Sequence, residues 1–241
     1  MAETVPTLTE PARISIVVPV LNEATTLVAA LEALQPLRRR GVELIVVDGE
    51  SRDKSASLAL PLADTVMTST PGRATQMNIG ASAASGDVLL FLHADTRLPD
   101  NALEQLNQAL AAHRWGRFNV TLEGSSCWLG MIATLMNARS RLTGIATGDQ
   151  AMFMSRAAFA AAGGFPEQPL MEDIELSQRL KRHGRPACLK ARVITSGRRW
   201  EQHGVWRTIW LMWRLRLYYW LGADPEDLAR AYLKKEPRDA R

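Results

Sequence analysis

An α/β fold with a mostly parallel central sheet flanked by helices is predicted by three features of this sequence. Residues 14–18 (ISIVV), 42–47 (VELIVV) and 88–92 (VLLFL) are short runs rich in β-formers and bounded by turn residues. Their nearly continuous apolar character marks strands buried on both faces, as parallel strands are. Segments with helical patterning, 24–34, 54–60 and 72–84, alternate with these runs. Each run also stops abruptly in polar residues. In open α/β sheets the carboxyl ends of the strands line the ligand crevice.

The organising stretch is 86–99, GDVLLFLHADTRLP, where a buried strand delivers His93, Asp95, Thr96 and Arg97 to its tip. An imidazole and a carboxylate two residues apart suit a divalent cation or a phosphate, and equally a polar cap after an ordinary strand. The first run ends in Pro19, Val20, Leu21, Asn22 and Glu23, and the second in Asp48, Gly49, Glu50, Ser51, Arg52 and Asp53. Three carboxylate-bearing turns on one sheet edge point to a ligand site.

A weaker strand is expected at 65–68, a helix at 101–113 and a half-exposed strand at 116–124, where Phe118, Val120 and Leu122 alternate. A Gly-containing helical pattern covers 128–142, and Gly148, Asp149 and Gln150 precede an apolar run at 151–154. Ser155 caps an alanine-rich helix reaching 162. After the Gly163-Gly164-Phe165-Pro166 turn, residues 171–183 form the clearest amphipathic helix, with Glu172, Asp173 and Glu175 at its dipole-favoured amino end. These acids are either helix-terminal charge matching or a general base. Val193, Ile194 and Thr195 close a further strand, followed by Arg198, Arg199, Trp200 and His203.

Residues 205–221 read as a helix with two apolar faces. At about 100° per residue, Trp206, Trp210, Trp213, Leu217 and Trp220 share one arc, bordered by Arg207 and Arg214 on one side and Arg216 on the other. Leu211, Met212, Leu215 and Tyr219 lie opposite. One face packs on the domain; the Trp face meets a membrane surface, a partner subunit or the core.

The net charge of +4 is local: residues 1–197 carry 19 basic and 19 acidic side chains, whereas 198–241 carry 10 and 6. This distribution argues against a nucleic-acid binder, whose basic face spreads over the domain. Cys127 and Cys188 lack metal-ligand spacing and read as reduced. The polar, acidic start MAETVPTLTEPAR is unlike a secretory signal, and no uncharged apolar run reaches the roughly 18 residues of a membrane span. A cytoplasmic protein, with peripheral contact at the inner membrane face through 205–221, is expected.

The ordered set VPVLNE, VVDGESRD, GDVLLFLHADT and GGFPEQPLMEDIEL resembles the family 2 glycosyltransferases of GT-A fold, over about residues 14–203. The GRATQMNIGA segment (72–81) and the HADT turn are similar to those of a bacterial subgroup known as transferase 2, radical-SAM/selenodomain-associated. The polar start reads as a flexible tail over 1–12 and the end as amphipathic helices over 204–241; the resemblance implies a nucleotide-sugar half over 13–98 and an acceptor half over 99–203. It implies that Pro19, Val20, Asn22 and Glu23 border the nucleotide and that Asp48 contacts the base. Asp95 matches the metal-binding member of the family's D-x-D turn, with His93 in place of the first aspartate. Glu172 and Asp173 match the E-D pair, whose Asp serves as base.

Chemistry agrees with these roles. A departing nucleoside diphosphate gains negative charge, which a hard cation held by one or two carboxylates and the phosphates offsets. His93 suits Mn²⁺ better than Mg²⁺; His203, or Arg73 and Arg199 as phosphate clamps, would complete the site. A base and a leaving group on opposite faces of the sugar imply inversion. The expected activity is therefore inverting transfer from a nucleotide sugar, with UDP as the expected nucleotide, to an acceptor hydroxyl or phosphate that the basic, Trp-rich tail suggests is lipid-linked. Nucleotide-sugar binding without transfer is the alternative. A nucleotidyltransferase ranks last, because PVLNE stands where its glycine-rich loop would follow the first strand.

Overall fold

The structure, a computed structural model, describes residues 12–233, apart from the side chains of Arg199, His203 and Leu233. All but Ala12 of the expected tail lies outside the described residues, as does 234–241 of the expected C-terminal segment. Strands β1 (Ile14–Val20), β2 (Glu43–Asp48), β3 (Thr65–Thr68), β4 (Val88–Phe91), β5 (Thr96–Arg97), β6 (Trp115–Glu123), β7 (Met152–Ser155) and β8 (Ala187–Ser196) form one sheet in the order β3-β2-β1-β4-β7-β6-β8-β5. The first four are mutually parallel, and Val20 pairs with Asp48, so β1 and β2 end level. β7 runs antiparallel to β4 and β6, β6 parallel to β8, and β5 antiparallel to β8.

The strand period of two sends alternate side chains to opposite faces. On one face Ile16, Val18, Leu44, Val46 and Leu90 pack with Leu27, Leu31 and Leu34 of helix α1 (Leu27–Arg38). On the other, Val17, Ile45, Val47, Leu89 and Phe91 meet Ala74, Met77 and Ala81 of helix α3 (Arg73–Ala83). Each fully buried large side chain contributes about 1.5–3 kcal/mol. Helix α3 approaches the sheet closely because Gly80 has no side chain: a Cβ there would collide with Val17 Cγ1 and lie 3.1 Å from Val47 Cγ2. Helix α2 (Ser55–Ala59) joins β2 to β3.

The second half adds α4 (Ala102–Leu110), α5 (Leu129–Thr143), α6 (Arg156–Ala161), α7 (Glu172–Lys181), α8 (Arg198–His203), α9 (Val205–Trp220) and α10 (Pro225–Leu233). Two strand expectations need correcting. The half-exposed strand is largely buried: Phe118, Val120 and Leu122 pack with α4 and α5, and Arg117, on the opposite face, is fully buried. Arg117 is accommodated there by donating to the carbonyls of Phe118 and Asn137. The HADT turn also runs directly into β5, a two-residue strand that the polar sequence does not announce.

Helix α9 divides as its periodicity predicts. Leu211 and Leu215 are buried against Met171 and Ile174, and Leu228 of α10 joins them. Trp206, Trp210, Trp213 and Trp220 are 63–78% exposed, which rules out the core for that face. Trp206 packs edge-on to Trp128, and Arg214 lies over the Trp210 ring at 5.2 Å.

Candidate active site

The β1 and β2 tips are tied together from α3. Gln76 Nε2 donates to the carbonyls of Val20 and Val47, both at 2.8 Å, and Gly49 N donates to Val20 O at 2.8 Å. Asp48 is buried; its Oδ2 accepts from Ser51 N at 2.8 Å, while Oδ1 has no partner. Asn22 N donates to Ser51 Oγ (2.9 Å), Asn22 Oδ1 accepts from Arg52 N (2.8 Å) and Glu23 N donates to Ser55 Oγ (2.9 Å). Pro19, next to last in β1, is half-buried, and Val20, which ends the strand, turns its side chain into the core, so Val20 borders the site by its backbone.

Backbone strain concentrates around this edge. The described non-glycine residues with positive φ are Asn22 (55°), Glu50 (60°), Ala151 (46°) and Met171 (66°). They stand at the β1 tip, the β2 tip, the turn before β7 and the start of α7. Such conformations persist where the surroundings over-determine them, and they cluster at functional sites.

His93 and Asp95 face different neighbours. The pairing of β5 with β8 draws Asp95 toward Thr195, whose Oγ1, like that of Thr96, donates to Asp95 Oδ1 at 3.3 Å. His93 turns to the 148–149 turn: Nδ1 lies 3.5 Å from Asp149 Oδ1, and Nε2 is buried without a partner. A Cβ on Gly148 would come within 2.5 Å of His93 Nε2, so the glycine makes room for the ring. Among the described residues no three His, Cys, Asp or Glu side chains form a metal cage. Among the described residues Asp95 is engaged by the hydroxyl donors of Thr96 and Thr195, and it fits a cation that draws its remaining ligands from phosphates. The side chains of Arg199 and His203 lie outside the described residues.

Beside His93, a cleft is lined by Arg73, Met77, Phe91, Gly148, Met152, Phe165, Glu172 and Asp173. Asp173 Oδ2 accepts from Gly148 N (2.9 Å) and Oδ1 from Ile174 N (2.7 Å), which fixes the carboxylate toward the cleft. Glu172 is buried, with Arg73 Nη1 3.4 Å from its Oε1. Burial, reinforced by the neighbouring Asp173 charge, raises the Glu172 carboxyl above the usual range, and Arg73 offsets this only in part. The expected stabilisation at the helix start is thus outweighed by desolvation.

Two arginines that the sequence did not mark as site residues complete the surroundings. The Asn137 side chain accepts from Val120 N at Oδ1 (2.8 Å) and donates from Nδ2 to Val120 O (2.9 Å), and so clamps α5 to β6. That clamp sets Arg139, two residues on, within electrostatic reach of Asp149, Asp173 and Arg216. Burial, then the Arg216 charge, lowers Arg139 to about 10; burial likewise lowers Arg216. Arg139 Nε and Nη2 and Arg216 Nε are buried without hydrogen-bond partners. Sequence periodicity puts Arg216 at the border of the exposed Trp arc, but tertiary packing turns it inward. Gln76, inside GRATQMNIGA, has a sequence signal in that segment; Arg139, on an uneven helical pattern, has none.

The sequence pattern of Glycosyl transferase family 2 matches residues 15–158. A 4,4'-diaponeurosporenoate glycosyltransferase of Staphylococcus haemolyticus is 32% identical over 111 residues, covering 42% of this chain and 29% of that protein. The chain thus spans well under half the length of this curated relative. Among solved structures, a mannosyltransferase from Pyrobaculum calidifontis in complex with GDP-Man and Mn²⁺ superposes with a TM-score of 0.62 at 21% identity, over 98% of this chain and 68% of that one. S. aureus TarS 1–349 in complex with UDP-GlcNAc gives a TM-score of 0.60 at 18% identity, over 76% and 58%. Glucosyl-3-phosphoglycerate synthase from Mycobacterium tuberculosis, with Mn²⁺, UDP and its product, gives 0.56 at 18%, over 76% and 71%. These likenesses show the GT-A architecture, and the family match spans more than half of the residues: the chain belongs to glycosyl transferase family 2.

Proposed function

We propose that this chain moves a sugar from a nucleoside-diphosphate sugar, with UDP as the nucleotide, to an acceptor hydroxyl or phosphate with inversion at the anomeric carbon. The observation that carries the reading is the position of Asp173, pinned by Gly148 N beside the cleft into which the sheet edge delivers His93. The unpartnered, buried Asp48 Oδ1 supports a role in accepting an N–H or O–H from the nucleoside. Pro19, Val20, Asn22 and Glu23 border that nucleoside, and Arg73 and Arg199 clamp the diphosphate. Asp95, with His203 and the donor's phosphates, holds Mn²⁺ or Mg²⁺, which when bound offsets the charge that develops on the diphosphate. Structures of the mannosyltransferase and the synthase with Mn²⁺ support a divalent ion here.

Asp173 takes the proton of the acceptor hydroxyl as it attacks, and beside it stands Glu172, whose carboxyl is raised above the usual range by burial and by the Asp173 charge. The division into a nucleotide-sugar half (13–98) and an acceptor half (99–203) follows this layout. GRATQMNIGA and HADT support membership of the radical-SAM/selenodomain-associated subgroup. The exposed Trp face of α9, edged by arginines, supports contact with the inner membrane face, from which a lipid-linked acceptor would approach. No described helix is long and apolar enough to cross a membrane.

The test is Asp173→Asn. Loss of a general base costs about 10²–10⁴ in rate. Transfer from the nucleotide sugar should fall at least about a hundredfold while donor binding, read by calorimetry, stays near wild type. Undiminished transfer would overturn the assignment.

A further inference from the structure

The strongest feature outside the donor machinery is the pair Arg139 and Arg216. They come from helices far apart in sequence, α5 and α9, and the Arg216 charge disfavours that of Arg139. Two guanidinium groups brought together with buried, unpartnered N–H groups are costly unless something accepts from them. The carboxylates of Asp149 and Asp173 act on both charges at a distance, yet neither is hydrogen-bonded to Arg139 or Arg216 at the nitrogens left unpartnered. A planar fork with free donors is the geometry that recognises a tetrahedral oxyanion.

We infer that Arg139 and Arg216 form an anion cradle for a phosphate carried by the acceptor, placing the acceptor's hydroxyl at Asp173. This rests on the transferase reading above and names the acceptor class for that site. Arg216 borders the exposed, Trp-bearing face of its helix, so a phosphate held at a membrane surface and a soluble phosphate ester would reach the same donors.

The experiment is calorimetric titration of the full chain with inorganic phosphate, both free and loaded with UDP and Mg²⁺, for wild type, Arg139→Gln and Arg216→Gln. Charge-assisted bonds of this kind are worth about tenfold or more each. Each variant should weaken phosphate binding at least about tenfold and leave UDP binding within about twofold. Phosphate binding equal to wild type, or UDP affinity falling in step with it, would overturn the cradle. Melting of each unliganded variant checks the fold, and Arg139→Lys, which keeps the charge but loses the fork, should bind phosphate with intermediate affinity. A wild-type chain that binds no nucleoside diphosphate would count against the transferase reading, while the phosphate titration of the free chain still decides the cradle. Neutral vesicles with and without polyprenyl phosphate separate the sources. Extra binding with the lipid phosphate, lost in Arg216→Gln, assigns the anion to a lipid headgroup. Phosphate binding without that increment assigns it to a soluble ester.

Discussion

On the β1–β2 side of the sheet edge, most polar groups are satisfied by near neighbours, Asp48 Oδ2 by Ser51, Asn22 by Ser51 and Arg52, Glu23 by Ser55, while Asp48 Oδ1 is left open. On the opposite side, the charges come from α5, the 148–149 turn, α7 and α9, and several polar atoms of His93, Arg139 and Arg216 have no partner. The first side is a framework that holds itself in shape before any ligand arrives. The second is an assembly of unpaired charge, whose energetic balance depends on what enters it.

The largest test of this contrast removes the tie of the framework. In Gln76→Ala two buried carbonyls lose a donor at once. Gly49 N still donates to Val20 O, so that carbonyl loses one bond of two, worth about 0.5–1.5 kcal/mol, and an unsatisfied Val47 O costs about 1–3 kcal/mol; the stability loss should be about 2–4 kcal/mol, read from the denaturant midpoint. A loss below about 1 kcal/mol would mean that water replaces the amide and that the two strand tips are not held by it.

Gly80→Ala and Gly148→Ala set the two sides directly against each other. At Gly80 the new methyl meets Val17 and Val47, β-branched side chains in the packed layer between α3 and the sheet. Overpacking there should cost about 1–3 kcal/mol of stability with the chemistry unaffected in the molecules that remain folded. At Gly148 the methyl meets the His93 ring, which can swing. Stability should change by less than about 1 kcal/mol, whereas transfer should fall about tenfold or more as the cleft loses its shape. Thermal melts and turnover measured on both variants check the pair; equal effects on both quantities would erase the distinction drawn between framework and assembly.

The same contrast explains what the sequence made legible. The framework side is written in contiguous motifs, because its turns satisfy themselves: Asn22, Glu23 and Asp48 could be picked out from strand ends alone. Asp173 was legible through a resemblance and through its place at a helix start. Arg139 was not, because its significance comes from an Asn137 clamp to Val120 and from an arginine 77 positions away, 216 less 139. Arg117 was missed for a related reason: strand alternation identifies a face, but not whether another layer covers it. The inward turn of Arg216 likewise depends on which side of α9 docks, which Leu211 and Leu215 decide by packing on Met171 and Ile174.

Glu172→Gln gives the smallest effect and the most specific reading of the unbalanced side. Burial, then Asp173, raises the folded-state carboxyl above its unfolded value of about 4.5. The folded chain therefore binds more protons than the unfolded one in the window that opens near the unfolded value and closes at the raised one. Stability attributable to this group is present in full below that window and declines as pH rises through it. The glutamine variant, which cannot ionise, escapes that decline. Its melting temperature relative to wild type should be constant at the acidic end, climb as pH rises through the window and level off above it. Parallel curves across the whole range would show that Arg73, 3.4 Å away, fully compensates the buried charge. Glu172 would then belong with the self-satisfied groups of the framework.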